Sequence, residues 1–114
     1  MSQYVFFYRG WSAPASPADM QKQVEKWSAW FKELTASGHL ADRGYPLERS
    51  GKVVAGQSKS VTDGPFAETK DFIGGYSIVD APDIAHAVEL AKGCPNFEMG
   101  GSVEVRPLLT LAPR

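Results

Sequence analysis

The apolar residues near the start of the chain predict a strand followed by a long helix. In residues 3–9 (QYVFFYR) alternate side chains point to opposite faces, and both faces are largely apolar, as in a strand covered on both sides. Ser16 and Pro17 fit an N-cap and a first helical position, and Gly38 fits a helix stop. The predicted helix carries one apolar stripe that we expect to be core: Met20, Val24, Trp27, Phe31 and Leu34.

The middle of the chain is rich in β-branched residues and turn residues. Residues 40–48 predict an irregular strand interrupted by Gly44 and Pro46. Gly51 and Lys52 are predicted to form a turn, after which residues 53–60 return as an antiparallel strand. Residues 72–79 (FIGGYSIV) predict a further strand, whose double glycine indicates a bend or the close approach of another backbone.

The last third predicts a short helix and a closing strand. The helix begins at residues 80–83 (DAPD), ends before Gly93 and Pro95, and buries small side chains that allow it to lie close to the sheet. Residues 102–107 (SVEVRP) alternate valines with charges. The two valines therefore share one face of the strand, and Glu104 and Arg106 share the other.

Composition limits the function classes. The chain has 114 residues and a net charge of −1, which predicts a single domain over residues 1–114. It shows neither the basic excess of a nucleic-acid-binding protein nor an apolar run of membrane-spanning length. Its single cysteine, Cys94, excludes an internal disulfide and its N-terminus lacks the features of a signal peptide. We therefore expect a cytoplasmic protein without a nucleic-acid or membrane partner.

The stretch from residue 63 to residue 76 (DGPFAETKDFIGGY) concentrates turn residues, aromatic residues, charged residues and a double glycine. Asp63 is expected to hold a turn through bonds from its carboxylate to backbone amides, with Pro65 and Phe66 as structural anchors. If the next residues are extended, Glu68 and Lys70 share a face. A loop with a structural ion pair leading into a kinked strand is the alternative interpretation.

The motifs DGPFAETK, GGY and GGSVEVRP resemble the DGPF branch of the YCII-related domain family, over almost the whole chain. The resemblance implies an α+β, ferredoxin-like βαββαβ fold with an antiparallel sheet, which dimerises into an α+β barrel. It also implies a homodimer. Better-studied members suggest a His–Asp pair with its histidine near the start of the first helix. This chain has no histidine there, so that pair does not carry over.

In the fold that the resemblance implies, the helices cover one face of the sheet, with the valines of residues 102–107 beneath them. The opposite face, which we call the second face, lines the inside of the barrel. Charged side chains on that face must be paired, solvated or bound to a ligand. The candidate catalytic residues are Asp63, Glu68 and His39. The candidate ligand-binding residues are Lys70, Arg106, Glu104, Arg9 and Tyr76, with Arg43 as a further neighbour. Arginine suits a carboxylate or other anion, because its planar fork binds such groups bidentately. His39 has an alternative role at the C-terminal end of the first helix.

Two functions remain open from sequence. One is a small enzyme that acts on an anionic or carbonyl-bearing metabolite by acid–base chemistry, without a cofactor or a metal. The other is a non-catalytic ligand-binding or dimeric interaction module. An enzyme needs a cavity of a few hundred cubic ångströms with convergent polar groups, whereas a structural module would use the same charges in mutual ion pairs.

Overall fold

The computed structural model of the protein describes residues 1–10, 14–64 and 72–110. The strands are β1 (Ser2–Arg9), β2 (Leu40–Asp42), β3 (Gly51–Ala55), β4 (Ser60–Gly64), β5 (Ile73–Ala81) and β6 (Ser102–Pro107). The helices are α1 (Pro17–Ala36), α2 (Ile84–Ala91) and a short 3-10 helix (Pro95–Met99). Of the helices in these described ranges, none has the length and apolarity needed to cross a membrane.

Four of the strands form one antiparallel sheet in the order β2-β5-β1-β6. β1 lies inside the sheet and pairs with β5 on one side and with β6 on the other. The two helices each connect strands that are separated by one neighbour in the sheet. This combination of antiparallel strands and two helices is consistent with the predicted ferredoxin-like α+β fold.

The hydrophobic core lies between the helices and one face of the sheet. Its buried members come from β1, α1, β5, α2 and the segment after α2: Tyr4, Phe6, Tyr8, Trp30, Phe31, Leu34, Val79, Ala81, Ala87, Ala91 and Cys94. Val103 and Val105 pack against the same cluster, which confirms the parity predicted for the last strand. Phe6 stacks on Trp30 with ring centroids 6.2 Å apart. Burying a side chain of this size contributes roughly 1.5–3 kcal/mol, so this layer is the main apolar source of stability.

Helix α1 begins and ends as predicted, but only half of its apolar stripe is core. The Ser16 hydroxyl accepts a hydrogen bond from the Asp19 amide at 3.1 Å, and Gly38 has a left-handed φ of 78°. Met20 and Val24, predicted to be core, are 43% and 50% exposed. Their periodicity identified a helix face correctly, but no sequence pattern shows how far along that face the sheet extends.

The prediction for residues 51–60 was wrong. β3 and β4 pair with each other as a separate two-stranded sheet, and the turn lies between them at residues 56–59, not at Gly51 and Lys52. Gly56 and Lys59 at the two ends of that turn have positive φ values of 77° and 58°. The turn residues GQSK lie inside a run that otherwise fits one strand, so the pattern favoured a continuous strand.

The double glycine of β5 serves the close approach of a neighbouring backbone. Pro46 forms a β-bridge with Gly75, and the Leu47 amide donates to the Gly74 carbonyl at 2.8 Å. A Cβ at Gly75 would meet the Tyr45 carbonyl oxygen at 3.1 Å. The segment 43–47 therefore packs directly on the first half of β5, which is one of the two explanations that the glycine pair suggested.

Replacing Gly44 with alanine should destabilise the protein strongly. Gly44 has a φ of 70°, and an added Cβ would overlap the Tyr76 carbonyl oxygen. A left-handed alanine and the overlap together should lower the free energy of unfolding by about 2–5 kcal/mol, measured by urea denaturation. The matched control is Gly51→Ala, because a Cβ there meets nothing within 4 Å. That control should change stability by less than about 0.5 kcal/mol. Equal effects of the two substitutions would contradict this account.

Candidate functional site

A cleft with a volume of about 330 Å³ lies beside α1 in the described part of the chain. We call it the α1 cleft. One wall is the exposed half of the α1 stripe, the other is the segment 43–46, and the start of β5 forms the floor. The volume is within the range of pockets that bind small organic molecules.

Aromatic side chains dominate the α1 cleft. Trp27 lies edge-on to Tyr8 with ring centroids 4.8 Å apart, and edge-on to Trp30 behind the cleft at 5.9 Å. Phe31 is buried beneath the guanidinium of Arg43, which lies 4.7 Å from the ring centroid. This cation–π contact holds a positive charge at the edge of an apolar cavity.

A buried chain of hydrogen bonds fixes the far wall of the cleft. The Tyr8 hydroxyl donates to Ser77 Oγ at 2.7 Å, and Ser77 Oγ donates to the Arg43 carbonyl at 2.6 Å. Burial raises the pKa of Tyr8 well above its ordinary value. The phenol therefore stays protonated at neutral pH and acts as a donor that positions Ser77.

Polar groups inside the α1 cleft are few. Gln23 lines it, and its Oε1 is buried without a hydrogen-bond partner. Of the described residues that line the cleft, none is a carboxylate or a histidine. The cleft can therefore hold and orient a molecule, but its described lining does not supply a pair of groups for acid–base catalysis.

The second sheet face carries the predicted charged cluster. Glu104 lies across from Phe7 in the register between β1 and β6, and its carboxylate contacts Arg9 Nη1 at 2.6 Å. Arg106 Nε lies 3.9 Å from the other oxygen of Glu104 and is 66% exposed, against 38% for Glu104. The structure thus brings Arg9, Glu104 and Arg106 together, as two cations on one carboxylate.

The remaining predicted site residues do not all join this cluster. His39 lies at the opposite end of β5 from Arg9, and its Nδ1 is 2.7 Å from the Asp80 carbonyl oxygen. Its ring is 4.9 Å from that of His86, between centroids. The Asp80 amide also donates to the His39 carbonyl, so His39 joins the end of α1 to β5. The imidazole therefore contacts β5 and not the carbonyl groups at the end of α1 that the alternative role implied. The catalytic role of His39 stays a prediction.

Asp63 lies in strand β4 of the β3–β4 hairpin, across from Lys52. Its carboxylate forms an ion pair with Lys52 at 2.5 Å, and the two side chains are 90% and 68% exposed. Such an exposed pair contributes little to stability. Glu68 and Lys70, with Pro65 and Phe66, lie outside the described residues. Their assigned roles, and that of Asp63 in catalysis, stay predictions.

Tyr76 is shared between the two surfaces. It lies across from Phe7 in the register between β1 and β5, and it also lines the α1 cleft, where Gly44 packs against its carbonyl group. Its assignment to ligand binding stays a prediction.

Metal and thiol chemistry have little support in the described ranges. Residues 1–10, 14–64 and 72–110 contain no group of three or more potential ligands from His, Cys, Asp and Glu. Cys94 is buried, which raises the pKa of its thiol to about 12, and its sulfur accepts a hydrogen bond from the Asn96 amide at 3.4 Å. A thiol held protonated in this way packs in the core and is a poor nucleophile at neutral pH.

Sequence reasoning missed the α1 cleft. Gln23, Tyr45 and Met99 all line it, and none was a candidate. One signal could have found it, because the glycine pair of β5 indicated the close approach of another backbone.

Comparison with known proteins assigns the chain to a family. The family model for the YCII-related domain matches residues 11–112. An uncharacterized protein of Rhizobium meliloti (strain 1021) is 41% identical over 54 residues, which cover 46% of this chain and 44% of that protein. The match therefore spans less than half of that relative. Because the family model covers nearly the whole sequence, the chain belongs to the YCII-related domain family.

Proposed function

We propose that this protein binds a small organic molecule in the α1 cleft, as a ligand-binding module. The cleft itself carries the proposal: about 330 Å³ of mostly apolar, aromatic-lined space with a few polar groups. The motif DGPFAETK supports placing the chain in the DGPF branch of its family. Catalysis is not needed to account for this lining, since its described residues include no acid–base pair.

The charges on the second sheet face support a structural role. Glu104 is engaged by Arg9 at 2.6 Å and approached by Arg106 at 3.9 Å. Removing charges from water is costly unless they are paired, so this arrangement suits a face that becomes covered. The half-buried side chains of Val5, Phe7 and Ile78 lie on the same face.

A second copy of the chain is the proposed cover for this face. Two sheets that face one another would form the α+β barrel implied by the resemblance. The mixture of apolar side chains and paired charges is suited to an interface with a hydrophobic centre and a polar rim.

A second candidate function is the acid–base enzyme, with its site on the second face. One observation favours it: Arg106 is two-thirds exposed and only distantly paired, so its guanidinium is accessible to an anionic substrate. In this proposal Arg9, Glu104 and Tyr76 help to bind the substrate. The proposal also assigns roles to Asp63, Glu68, Lys70 and His39. His39 and Asp63 are not part of the Arg9–Glu104–Arg106 cluster, and Glu68 and Lys70 lie outside the described residues.

A metabolite panel tested by thermal shift should distinguish the two sites. A ligand present at about 100 times its Kd adds about 2.7 kcal/mol to stability, which raises Tm by several degrees in a domain of this size. Ser28 is exposed and lines the α1 cleft, so Ser28→Trp should fill the cleft and abolish the shift. Arg106→Ala should retain it.

The control for this experiment is Ala29→Trp. Ala29 is the next residue of α1, is also exposed and does not line the cleft, so its substitution should preserve the shift. Loss of the shift in Arg106→Ala with retention in Ser28→Trp would transfer the function to the second face. A panel that stabilises none of the proteins would contradict ligand binding.

We expect sedimentation velocity at roughly 20 μM to show a dimer. Phe7→Glu should convert it to a monomer, because it replaces an apolar side chain at the centre of the second face with a carboxylate that lies across from Glu104 and repels it. Val88→Glu is the control, since Val88 is 38% exposed on α2. A monomeric parent protein, or a Phe7→Glu variant that remains dimeric, would rule out this interface.

A further inference from the structure

From the lining of the α1 cleft we infer that its ligand is a planar aromatic molecule with a carboxylate at one end and a hydrogen-bond donor at the other. This inference rests on the proposed function. It goes further by naming the chemical class of the ligand from three features of the cleft: its walls, the charge at its mouth and an unsatisfied acceptor.

The walls favour a flat, apolar body. Trp27 and Phe31 contribute aromatic rings from α1, and Tyr45 and Pro46 face them from the opposite segment. Aromatic rings interact best with other rings in offset or edge-on arrangements, beyond the gain from buried area alone. The far wall is fixed by two hydrogen bonds, because the Ser77 hydroxyl donates to the Arg43 carbonyl and the Leu47 amide donates to the Gly74 carbonyl. A fixed gap between two walls selects a ligand by its thickness.

The mouth of the cleft favours a carboxylate. The Arg43 side chain is exposed and lies over Phe31, and none of the ion pairs in the described part of the chain involves it. The neighbouring carboxylate of Asp42 accepts a bond from the Gly44 amide at 2.8 Å. Lys32 lines a separate shallow groove that shares Phe31 and Arg43 with the cleft. The Arg43 guanidinium attracts an anion to the cleft mouth and can bind a carboxylate with two parallel hydrogen bonds.

The inner part of the cleft favours a donor on the ligand. Gln23 Oε1 is buried and has no hydrogen-bond partner, which is unfavourable for a carbonyl oxygen removed from water. A hydroxyl or amide N–H of the ligand would satisfy it. Gln23 precedes Phe31 by eight residues of α1, about 12 Å along the helix axis. The donor and the carboxylate should therefore lie at opposite ends of an elongated molecule.

Isothermal titration calorimetry on the full chain with three probes tests the inference. The probes are para-hydroxyphenylpropionate, phenylpropionate without the hydroxyl, and para-hydroxyphenylpropionamide without the charge. The first should bind most tightly, and loss of either group should weaken binding about tenfold. Arg43→Gln should reduce the affinity for the two acids about tenfold and leave the amide unchanged. Gln23→Leu should weaken only the two hydroxylated probes.

Arg49→Gln is the matched control. Arg49 lies over the Phe72 ring at 4.7 Å, the same distance as Arg43 from Phe31, but it does not line the cleft. It should bind all three probes like the parent protein, and the melting temperatures of all variants should be compared in the same buffer.

The failure of this inference can be distinguished from that of the proposed function. The inference is overturned if the parent protein binds the amide as tightly as the acid, if Arg43→Gln keeps the full affinity for the acids, or if no probe binds at millimolar concentration. In these cases a panel compound whose thermal shift is lost in Ser28→Trp still supports ligand binding in the cleft. If the panel also gives no such shift, both proposals fail.

Discussion

The close approach of residues 43–47 to the first half of β5 is the constraint on which the rest of this molecule depends. Two glycines permit it, because side chains at 44 and 75 would meet the backbone opposite. Gly44 also needs a left-handed φ that other residues adopt at a cost. Without this contact the α1 cleft would have no far wall.

Hydrogen bonds between buried polar groups hold the segment 43–47 against the core. The Tyr8 hydroxyl of β1 donates to Ser77 Oγ on the neighbouring strand β5. Ser77 Oγ in turn donates to the Arg43 carbonyl in the far wall of the cleft. Ser77 is fully buried, so an unpaired hydroxyl there would be costly. The same short network therefore stabilises the core and sets the position of Arg43. Asn96 has a similar joining role, since its amide donates to the carbonyls of Arg9 and Ser102.

Charged side chains are paired differently on the second face and at the mouth of the α1 cleft. On the second face Glu104 is shared between two arginines, so the cluster neutralises much of its own charge. At the cleft mouth Arg43 is packed on an aromatic ring and belongs to none of the ion pairs in the described residues. Self-paired charges suit an interface, whereas a cation beside an apolar cavity suits the recognition of an anionic ligand. The distribution of charge thus supports separate places for the proposed assembly and the proposed binding.

The sequence by itself determined the local elements. Capping residues defined the start of α1, Gly38 its end, and the alternation of residues 102–107 correctly placed two valines in the core and Glu104 with Arg106 opposite. These features depend on near neighbours along the chain, so they can be recognised in a single sequence.

Tertiary structure alone decided how far the sheet covers α1, and so why Met20 and Val24 line a cleft while Trp30 and Leu34 are core. It also placed His39 at the opposite end of β5 from Arg9, and Asp63 in a separate two-stranded sheet, because strand pairing joins residues that are remote in sequence. A periodic pattern shows which side chains share a face, but only the packing of distant segments decides what that face contacts.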